Sequence, residues 1–405
     1  MQIKNKMRSP VYIAGLGVIS AIGNNVAECL ASLKNGKAGM SDITYLKTRH
    51  KGEMPVAEVK LDNKQLAKKA GMPLHTSRTA LLSGVAAKEA LEHSGIRDIE
   101  GIKIGFVSAN TVGGMDKSER FFEDFSKDNR LGSLTDVMNH GCGNVTEIVA
   151  DRLGINQYVT TISTACSSSA NAIFYGARLI RNGIVDAVIA GGADAFTRFT
   201  LNGFNTLMIL DRELCKPFDE NRHGLNLGEG AGYVVLVSEK VSKLLNKQMC
   251  GTLSGYNNSN DAFHQTATSP DGEGPYLAMQ GALNQAGLQS SDIDYINLHG
   301  TGTPNNDQSE GVAVERVFAG NYPPMSSTKT FTGHTLGASG GIEAVFSLLA
   351  LKHGLVFPNL RFETRMKDMN FSPETELITD QPINHVISNS FGFGGNCTSL
   401  IFSKV

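Results

Sequence analysis

The chain has 405 residues, in which 37 Lys and Arg residues nearly balance 39 Asp and Glu residues. A formal net charge of -2 excludes the basic footprint of a nucleic-acid or anionic-membrane binder and favours a small or protein-borne substrate. The length exceeds that at which a single core usually stops growing, so two domains or two halves of one large fold are expected.

Cysteine usage and hydropathy restrict the compartment. The six cysteines have no paired spacing such as CxxC, which argues against a zinc or dithiol redox site. We expect reduced thiols in a cytoplasmic protein. The basic segment 1–10 is followed directly by strand-like residues and not by a signal-peptide core. No run approaches the roughly 18 apolar residues of a membrane span. The cysteines are Cys29, Cys142, Cys166, Cys215, Cys250 and Cys397.

The first predicted elements are a strand at the start of residues 11–20, a glycine-rich turn, and a helix through residues 27–33. Gly15 and Gly17 are spaced like the start of a dinucleotide-binding loop, but Ser20 occupies the third glycine position. Close packing of a strand against a helix is the better explanation for the two glycines.

Strands and helices then alternate along the N-terminal part of the chain. A helix over residues 77–94 precedes a strand over 102–107, and the polar region 111–144 is expected to hold short helices and loops. Apolar runs at 186–193 and 232–237 predict two further buried strands. This alternation indicates an α/β fold with a buried sheet.

A thiol lies between a predicted strand and a predicted helix in the middle of the chain. Residues 158–163 are rich in β-branched side chains and predict a buried strand, and residues 170–180 have apolar side chains at helical spacing. Cys166 therefore lies near a helix start, where unpaired N–H groups favour a thiolate and could hold an oxyanion. A buried structural cysteine is the alternative, and for an isolated cysteine it is the commoner case.

An internal repeat relates this region to the C-terminal part of the chain. Residues 163–183 resemble 327–354, since each segment begins with Ser-Thr and continues into a helix that ends at a glycine. Residues 187–192 correspond in the same way to 385–395. The repeat predicts two similar halves, of which residues 1–250 carry the thiol and residues 251–405 carry two notable histidines.

Both histidines follow strand-like runs in the C-terminal half. His299 comes after residues 293–298, and His334 precedes a helix start made of small residues. Loops at strand ends are where α/β folds build their sites. Taken singly, His299 is more simply explained as a cap at the end of a strand, and His334 as the partner of a neighbouring carbonyl group. A metal pair is a weak alternative, because no third ligand has a recognisable spacing.

Five motifs, in the same order, resemble the β-ketoacyl-acyl-carrier-protein synthases of the type I/II branch, and most closely those of type II. The resemblance runs from about residue 10 to the C-terminus, and the combination is highly specific although each motif alone is weak. The motifs lie at residues 164–168, at 216–219 with 228–232, at 299–304 with Asp307 and Glu310, at 327–329 with 333–334, and at 389–395.

The resemblance implies a thiolase-like fold in which two duplicated α/β halves form five layers, α-β-α-β-α, and usually a homodimer. It implies that Cys166 is the acyl-accepting nucleophile. His299 and His334 would promote decarboxylation and stabilise an enolate, and Lys329 with Glu310 would organise the two histidines.

The remaining implied roles concern substrate binding. The backbone N–H groups of Cys166 and Phe393 would form the oxyanion hole, and Phe393 would also be a mobile gate on the acyl pocket. Thr301 and Thr303 would bind the phosphopantetheine arm of an acyl-carrier protein. The substrates would be acyl and malonyl thioesters, the reaction a decarboxylative Claisen condensation, and no metal or free cofactor would be needed.

Departures from the family pattern leave the pathway open. Asn396 and Cys397 stand where the family usually has Thr and Asn, His223 where an acidic residue is common, and Asn226 where an aliphatic one is usual. They suggest a ketosynthase of a specialised cluster, such as an aryl-polyene type, instead of housekeeping fatty acid elongation. Two related protein classes are less favoured: a thiolase would need a second cysteine before the C-terminal glycines, and a non-catalytic chain-length-factor subunit would lack the nucleophile.

Overall fold

The computed structural model describes residues 9–405. Within that range the chain forms ten strands and thirteen helices, labelled here in chain order. The strands are β1 Val11–Ser20, β2 Ile104–Ala109, β3 Tyr158–Ile162, β4 Ala187–Asp194, β5 Gly230–Ser238, β6 Gly251–Asn260, β7 Tyr295–Asn297, β8 Met325–Ser326, β9 His385–Phe391 and β10 Asn396–Ser403.

The helices connect these strands and cover their faces. In the described range none is long and apolar enough to cross a membrane. They are α1 Val26–Lys34, α2 Asn63–Ala70, α3 Arg78–Ser94, α4 Met115–Phe125, α5 Leu134–Met138, α6 Cys142–Leu153, α7 Ser168–Arg181, α8 Arg198–Thr206, α9 Glu239–Leu245, α10 Glu273–Ala286, α11 Pro304–Phe318, α12 Lys329–Thr332 and α13 Ser339–His353.

Each part of the chain contributes five strands, and the order of the second set is the reverse of the order of the first. The first five strands lie in the order β3-β2-β4-β5-β1, and the last five continue as β6-β10-β9-β7-β8. In each set the three strands nearest the outer edge run parallel to one another. Each of the two remaining strands is antiparallel to the strand before it. The duplicated architecture expected from the sequence is confirmed. The division at residues 250 and 251 stays a prediction, although β6 begins at Gly251.

Helices form the outer and central layers. Helix α3 packs on β1 and β5, helix α10 packs on β6 and β10, and α7 and α13 pack against each other between the two sets of strands. Helix α13 has no solvent-facing side, because every residue from Ser339 to Leu351 is buried. This central pair brings the start of α7 and the start of α13 to one place.

Two local expectations are wrong. Gly15 and Gly17 lie within the continuous strand β1, not in a turn. A Cβ added at Gly15 would meet the carbonyl oxygen of Ala90 at 2.2 Å, and one at Gly17 would meet that of Ala86 at 2.0 Å. The glycines therefore allow α3 to pack closely on β1, in agreement with the strand-on-helix explanation of their spacing.

The second correction concerns β3. This strand was expected to be buried, but all five of its residues are only half-buried. The reason is its position at the outer edge of the sheet, where it pairs with β2 alone. Its other side has no neighbouring strand within the described residues.

Candidate active site

Cys166 lies between the end of β3 and the start of α7, as predicted. The preceding residue, Ala165, has a φ of 52°, in the left-handed region that side chains with a Cβ rarely adopt. This sharp turn leaves Cys166 buried, with 7% of the residue exposed, just before α7 begins at Ser168. Backbone strain of this kind concentrates at functional sites.

Backbone N–H groups favour the thiolate of Cys166, as expected, but burial outweighs them. Burial raises the pKa of the Cys166 thiol to about 11, although the charge of Lys329 and the backbone N–H groups of Phe393 and Cys166 act in the opposite direction. Desolvation of the charged form is therefore the dominant influence.

His299 and His334 meet Cys166 from the other half of the chain. His299 follows β7, and His334 lies between α12 and α13. The Cys166 sulfur and one ring nitrogen of each histidine lie within 4.8 Å of one another. The two imidazole rings are perpendicular, at 87°, with centroids 5.6 Å apart. The three residues singled out in the sequence thus form one cluster.

Hydrogen bonds on the far side of each ring set its tautomer. The backbone N–H of Leu336 donates to Nδ1 of His334 at 3.0 Å. The Lys329 ammonium lies 3.1 Å from Nδ1 of His299 and, with only protons to offer, donates to that atom. Both Nδ1 atoms are acceptors, so both Nε2 atoms carry the proton.

Both imidazoles are neutral near pH 7. Burial lowers the pKa of His334 to about 3, with a further contribution from Lys329. Burial, Lys329 and His334 likewise hold the pKa of His299 well below its usual range. The rings therefore present neutral N–H donors. Metal ligation through Nε2 would require each ring to give up its Nδ1 hydrogen bond, so this donor set fits a metal poorly.

Lys329 and Glu310 both contact His299, the histidine that they were expected to organise together with His334. The ion pair of Lys329 is with Glu343 of α13. The Lys329 ammonium also donates to the carbonyl oxygen of His299 at 2.6 Å. Glu310 instead accepts the backbone N–H groups of His299 and Gly300 at 2.9 and 2.8 Å. Lys329 thus contacts the ring and carbonyl of His299, and Glu310 contacts its backbone N–H.

Glu343 was missed in the sequence, although a signal for it exists. It is the one charged residue between Ser339 and Leu351, in a helix that begins shortly after His334. An acidic side chain in an otherwise apolar, buried helix requires a partner. The Lys329 ammonium supplies that partner, and both side chains are nearly inaccessible, at 2% and 4% exposure.

The backbone N–H groups of Cys166 and Phe393 are close enough to the Cys166 sulfur to lower the pKa of its thiol. This is the arrangement expected of an oxyanion hole. The Phe393 ring is partly exposed and stacks on Phe204, with centroids 6.0 Å apart and an interplanar angle of 16°. Gly394, which follows, is exposed and has a φ of 80°.

A cavity of about 210 Å³ connects these groups to the surface. Thr301 and Thr303 line it, with their hydroxyl groups 2.8 Å apart. Asp307 holds this loop by accepting the Thr301 N–H at 3.0 Å. The remaining walls include Cys166, Phe204, Ile209, Leu225, Thr268, His299, Asn305, His334, Phe391 and Phe393.

The unusual residues after the glycine loop are well packed. The Asn396 side-chain oxygen accepts hydrogen bonds from Ser167 at 2.7 Å and from Asn171 at 2.8 Å. Cys397 is fully buried in a small apolar cluster with Phe391. Asn396 therefore connects the glycine loop to the turn that carries Cys166.

Comparison with known proteins identifies the family. Residues 8–242 match the model of the β-ketoacyl synthase N-terminal domain, and residues 250–363 match that of the C-terminal domain. The chain belongs to the β-ketoacyl synthase family. It is 33% identical to 3-oxoacyl-[acyl-carrier-protein] synthase 2 of Staphylococcus aureus (strain N315) over 97% of this chain and 98% of that one. The protein of the same name from Coxiella burnetii is 32% identical over 98% of each chain.

Solved ketosynthase structures share the fold over nearly the whole length. The ishigamide ketosynthase/chain length factor superposes with a TM-score of 0.92 at 29% identity, covering 98% of this chain and 100% of that one. Ketosynthase ApeO of Xenorhabdus doucetiae, solved with its chain length factor ApeC, gives a TM-score of 0.85 at 31% identity and full coverage of both chains.

The protein is therefore a condensing, acyl-transferring enzyme with the thiolase-like fold of this family. Its reaction is the β-ketoacyl-acyl-carrier-protein synthase condensation. Phosphopantetheine enters on the carrier protein, and the family needs no free cofactor. A thiolase activity is set aside, because both family models are those of β-ketoacyl synthases.

Proposed function

We propose that Cys166 accepts the acyl group and that His299 and His334 stabilise the enolate formed from malonyl thioester. The proposal rests on one observation: the Cys166 thiol in one half of the chain and a ring nitrogen of each histidine in the other half lie within 4.8 Å of one another. The Nδ1 hydrogen bonds leave the Nε2–H of each ring as a donor. Lys329 and Glu343 are assigned as positioning residues for His299, and Glu310 as a positioning residue for its loop.

The first step transfers an acyl group to the enzyme. The Cys166 sulfur attacks the thioester carbonyl of acyl-acyl-carrier protein, and the oxygen of the tetrahedral intermediate receives hydrogen bonds from the N–H groups of Cys166 and Phe393. The carrier thiol leaves with the proton that Cys166 loses. One thioester replaces another, so the step is nearly balanced in free energy.

The second step forms the carbon–carbon bond. Malonyl thioester loses carbon dioxide, and its enolate oxygen receives hydrogen bonds from the Nε2–H groups of His299 and His334. The enolate carbon then attacks the acyl-Cys166 carbonyl, and the cysteine sulfur leaves. Neutral imidazoles suit this task, because they supply two donors without requiring a buried cation beside Lys329.

In this proposal the phosphopantetheine arm of the acyl-carrier protein binds in a separate part of the cavity. Thr301 and Thr303 line the cavity between Cys166 and the surface, where their hydroxyl groups can bond the amides of phosphopantetheine. Phe393 is proposed as the gate to the acyl pocket, because its partly exposed ring rests on Phe204 beside a glycine, whose backbone has many accessible conformations.

Labelling and condensation assays test these roles. Cys166→Ala is expected to abolish uptake of labelled acyl from acyl-carrier protein, whereas Cys29→Ala, which removes another buried thiol, is expected to leave it unchanged. His299→Ala or His334→Ala is expected to retain acylation but to slow condensation by about 10²–10⁴-fold. Retained labelling in Cys166→Ala, or loss of acylation in both histidine variants, contradicts the assignment.

We also propose that the enzyme works as a dimer joined through β3. The support is the half-buried edge of this strand, because an unpaired edge offers backbone groups to a second sheet. A homodimer was expected, and a heterodimer with a chain length factor is the second candidate, because ApeO was solved with such a partner. Ile162 bonds to β2, so by alternation the N–H of Thr161 lies on the free edge. Thr161→Pro removes this N–H and is expected to dissociate either assembly.

Mass determination of the purified chain distinguishes the two assemblies. A stable dimer of about twice the chain mass supports the homodimer, and a monomer that dimerises only with a co-expressed second ketosynthase-like chain supports the heterodimer. If Thr161→Pro leaves the assembly intact, the interface is elsewhere.

Pathway and compartment complete the proposal. The structural similarity to ketosynthases paired with chain length factors favours a specialised polyketide or polyene pathway over primary fatty acid elongation. A cytoplasmic location is supported by six cysteines that are all free. A screen of short, long and polyene acyl-carrier-protein primers with malonyl-acyl-carrier protein tests the pathway: preference for saturated long chains alone would contradict it.

A further inference from the structure

A second cavity, of about 560 Å³, lies at the opposite end of the strands from Cys166. Tyr12, at the start of β1, and Cys250, just before β6, are among its lining residues. Strand β1 runs parallel to β4, since both are antiparallel to β5, and Cys166 lies at the edge where β4 ends. The eight residues of β4 separate the two edges by about 26 Å.

The lysines give this cavity side-chain charge of one sign. Its lining includes Lys243, Lys247, Lys352 and Lys404 but no Asp or Glu side chain. Lys243 has an ion pair, with Glu239 at 2.7 Å. In the part of the chain that the structure describes, Lys352 and Lys404 have no carboxylate within 4 Å. Two of the four ammonium groups are therefore available to an anion.

Neighbouring groups respond to this positive potential. The Lys247 ammonium is held in place, donating to the carbonyl oxygens of Ala14 at 2.9 Å and His93 at 2.5 Å. Burial lowers the pKa of His93, and Lys247 and Lys352 lower it further. Burial and Lys352 do the same for His353. The positive charges of Lys247 and Lys352 therefore act together on the same cavity.

The rest of the lining combines polar side chains, Ser242 and Gln248 among them, with apolar and aromatic ones. Tyr12, Met249 and Leu351 belong to the second group. A concave site of several hundred cubic ångströms with apolar walls and a few charged groups has the size and composition of a small-molecule site. A macromolecular partner would need a broader and flatter surface.

We propose that this cavity binds a small molecule bearing a chain of two or more phosphates, with a planar or apolar group attached to it. The phosphates would contact Lys352 and Lys404, with Lys247 as a fixed third cation, and the attached group would lie against Tyr12 and Met249. A nucleoside triphosphate has both parts, whereas inorganic tripolyphosphate has only the phosphates. The site is remote from Cys166 and does not depend on the proposed roles there.

Calorimetric titration of the full chain at low salt tests the site with ATP, tripolyphosphate and adenosine. ATP and tripolyphosphate are expected to bind, and adenosine is not. Lys352→Gln with Lys404→Gln is expected to weaken ATP binding about tenfold or more, because two cations are removed from one cavity. The matched control, Lys64→Gln with Lys68→Gln, loses the same charge from exposed positions on α2 and is expected to bind normally.

A second measurement uses the wild-type chain. Tripolyphosphate is expected to raise the titration midpoint of His93 in NMR spectra, because added negative charge opposes the effect of Lys247 and Lys352. Three results would overturn the proposal: no heat or shift at millimolar ATP, equal weakening in the control variant, or binding of adenosine as tight as that of ATP.

Discussion

The two halves use the same junction of strand, turn and helix for different purposes. In the N-terminal half, β3 is a half-buried edge strand, and a strained residue, Ala165, precedes the proposed nucleophile. In the C-terminal half, β8 is a buried strand of two residues and is followed by the ion-paired Lys329. The two halves thus share one topology. Differences in burial and charge make one junction a thiol site and the other a site with two N–H donors.

An alignment of the central helices α7 and α13 shows one position at which the two halves differ. Ser168 of α7 corresponds to Ser339 of α13, and Arg181 corresponds to Lys352, because each pair lies at the same distance from the closing glycine. On this alignment Glu343 stands where α7 has Ala172. One small apolar residue in one half is therefore a buried carboxylate in the other.

The largest expected effect comes from removing that carboxylate. Glu343→Ala leaves the Lys329 ammonium buried without a counterion and is expected to lower the free energy of unfolding by about 3–5 kcal/mol. The double variant Lys329→Met with Glu343→Leu is expected to recover most of this loss in urea denaturation. It is also expected to keep Cys166 acylation while losing condensation. A fully stable Glu343→Ala single variant would contradict the role of the pair.

A pH series distinguishes the thiol of the N-terminal half from the histidine of the C-terminal half. Because burial raises the pKa of Cys166 to about 11, alkylation by iodoacetamide is expected to quicken about tenfold per pH unit from pH 7 to 10. An early plateau near pH 7 would show a thiolate instead. The His334 ring, whose pKa is lowered to about 3, is expected to show no NMR titration above pH 5.

The same pKa values give opposite stability slopes. Because the folded-state pKa of His334 lies below its usual 6.5, the unfolded chain binds more protons in acid, and the His334 contribution is lost as pH falls below about 6.5. Because the pKa of Cys166 is raised from 9.0, its contribution is lost as pH rises above about 9. Thermal unfolding of Cys166→Ala and His334→Asn across this range is expected to flatten one slope each.

A smaller effect is expected where the two halves meet. A Cβ added at Gly341 of α13 would lie 2.4 Å from the Gly232 carbonyl oxygen of β5 and 3.2 Å from Ser169 of α7. Gly341→Ala is therefore expected to destabilise the chain by about 1–3 kcal/mol. Gly143→Ala in α6, where a Cβ meets nothing within 4 Å, is the control and is expected to be neutral or slightly stabilising in the same denaturation assay.

The smallest effect tests the strained turn. Ala165→Gly relieves a left-handed φ and is expected to raise the free energy of unfolding by up to about 1 kcal/mol while slowing acylation of Cys166. Thr328→Gly, at a residue of the C-terminal junction with an unstrained φ of -74°, is expected to destabilise. Equal effects of the two substitutions would show that strain is not specific to the nucleophile turn.

Much of the fold and the cluster could be predicted from the sequence. The repeat gave two related halves, and strand ends placed Cys166, His299 and His334 correctly because such ends meet at one edge of a sheet. Charge pairing was harder: Glu343 and Lys329 are 14 residues apart, and only the packing of α13 decides that Glu343 and not Glu310 is the partner of Lys329.

Two other properties depend on environment, which local patterns do not encode. The residues of β3 have the composition of a buried strand, but the strand order leaves it at an edge. The Cys166 turn has the motif of an activated thiol, but the acidity of the thiol depends on how much water the surrounding layers exclude. Each requires the assembled layers, not the segment alone.

The Lys329–Glu343 pair also determines where this enzyme can be redesigned. The histidine side of the cavity depends on two buried charges, and loss of either one is expected to destabilise the chain. Selection for new primers is therefore expected to find few viable changes there. The opposite side depends on an aromatic stack between Phe204 and a partly exposed Phe393, and it borders Ile209 and Leu225. Libraries aimed at a different acyl range should therefore vary that side and leave α13 untouched.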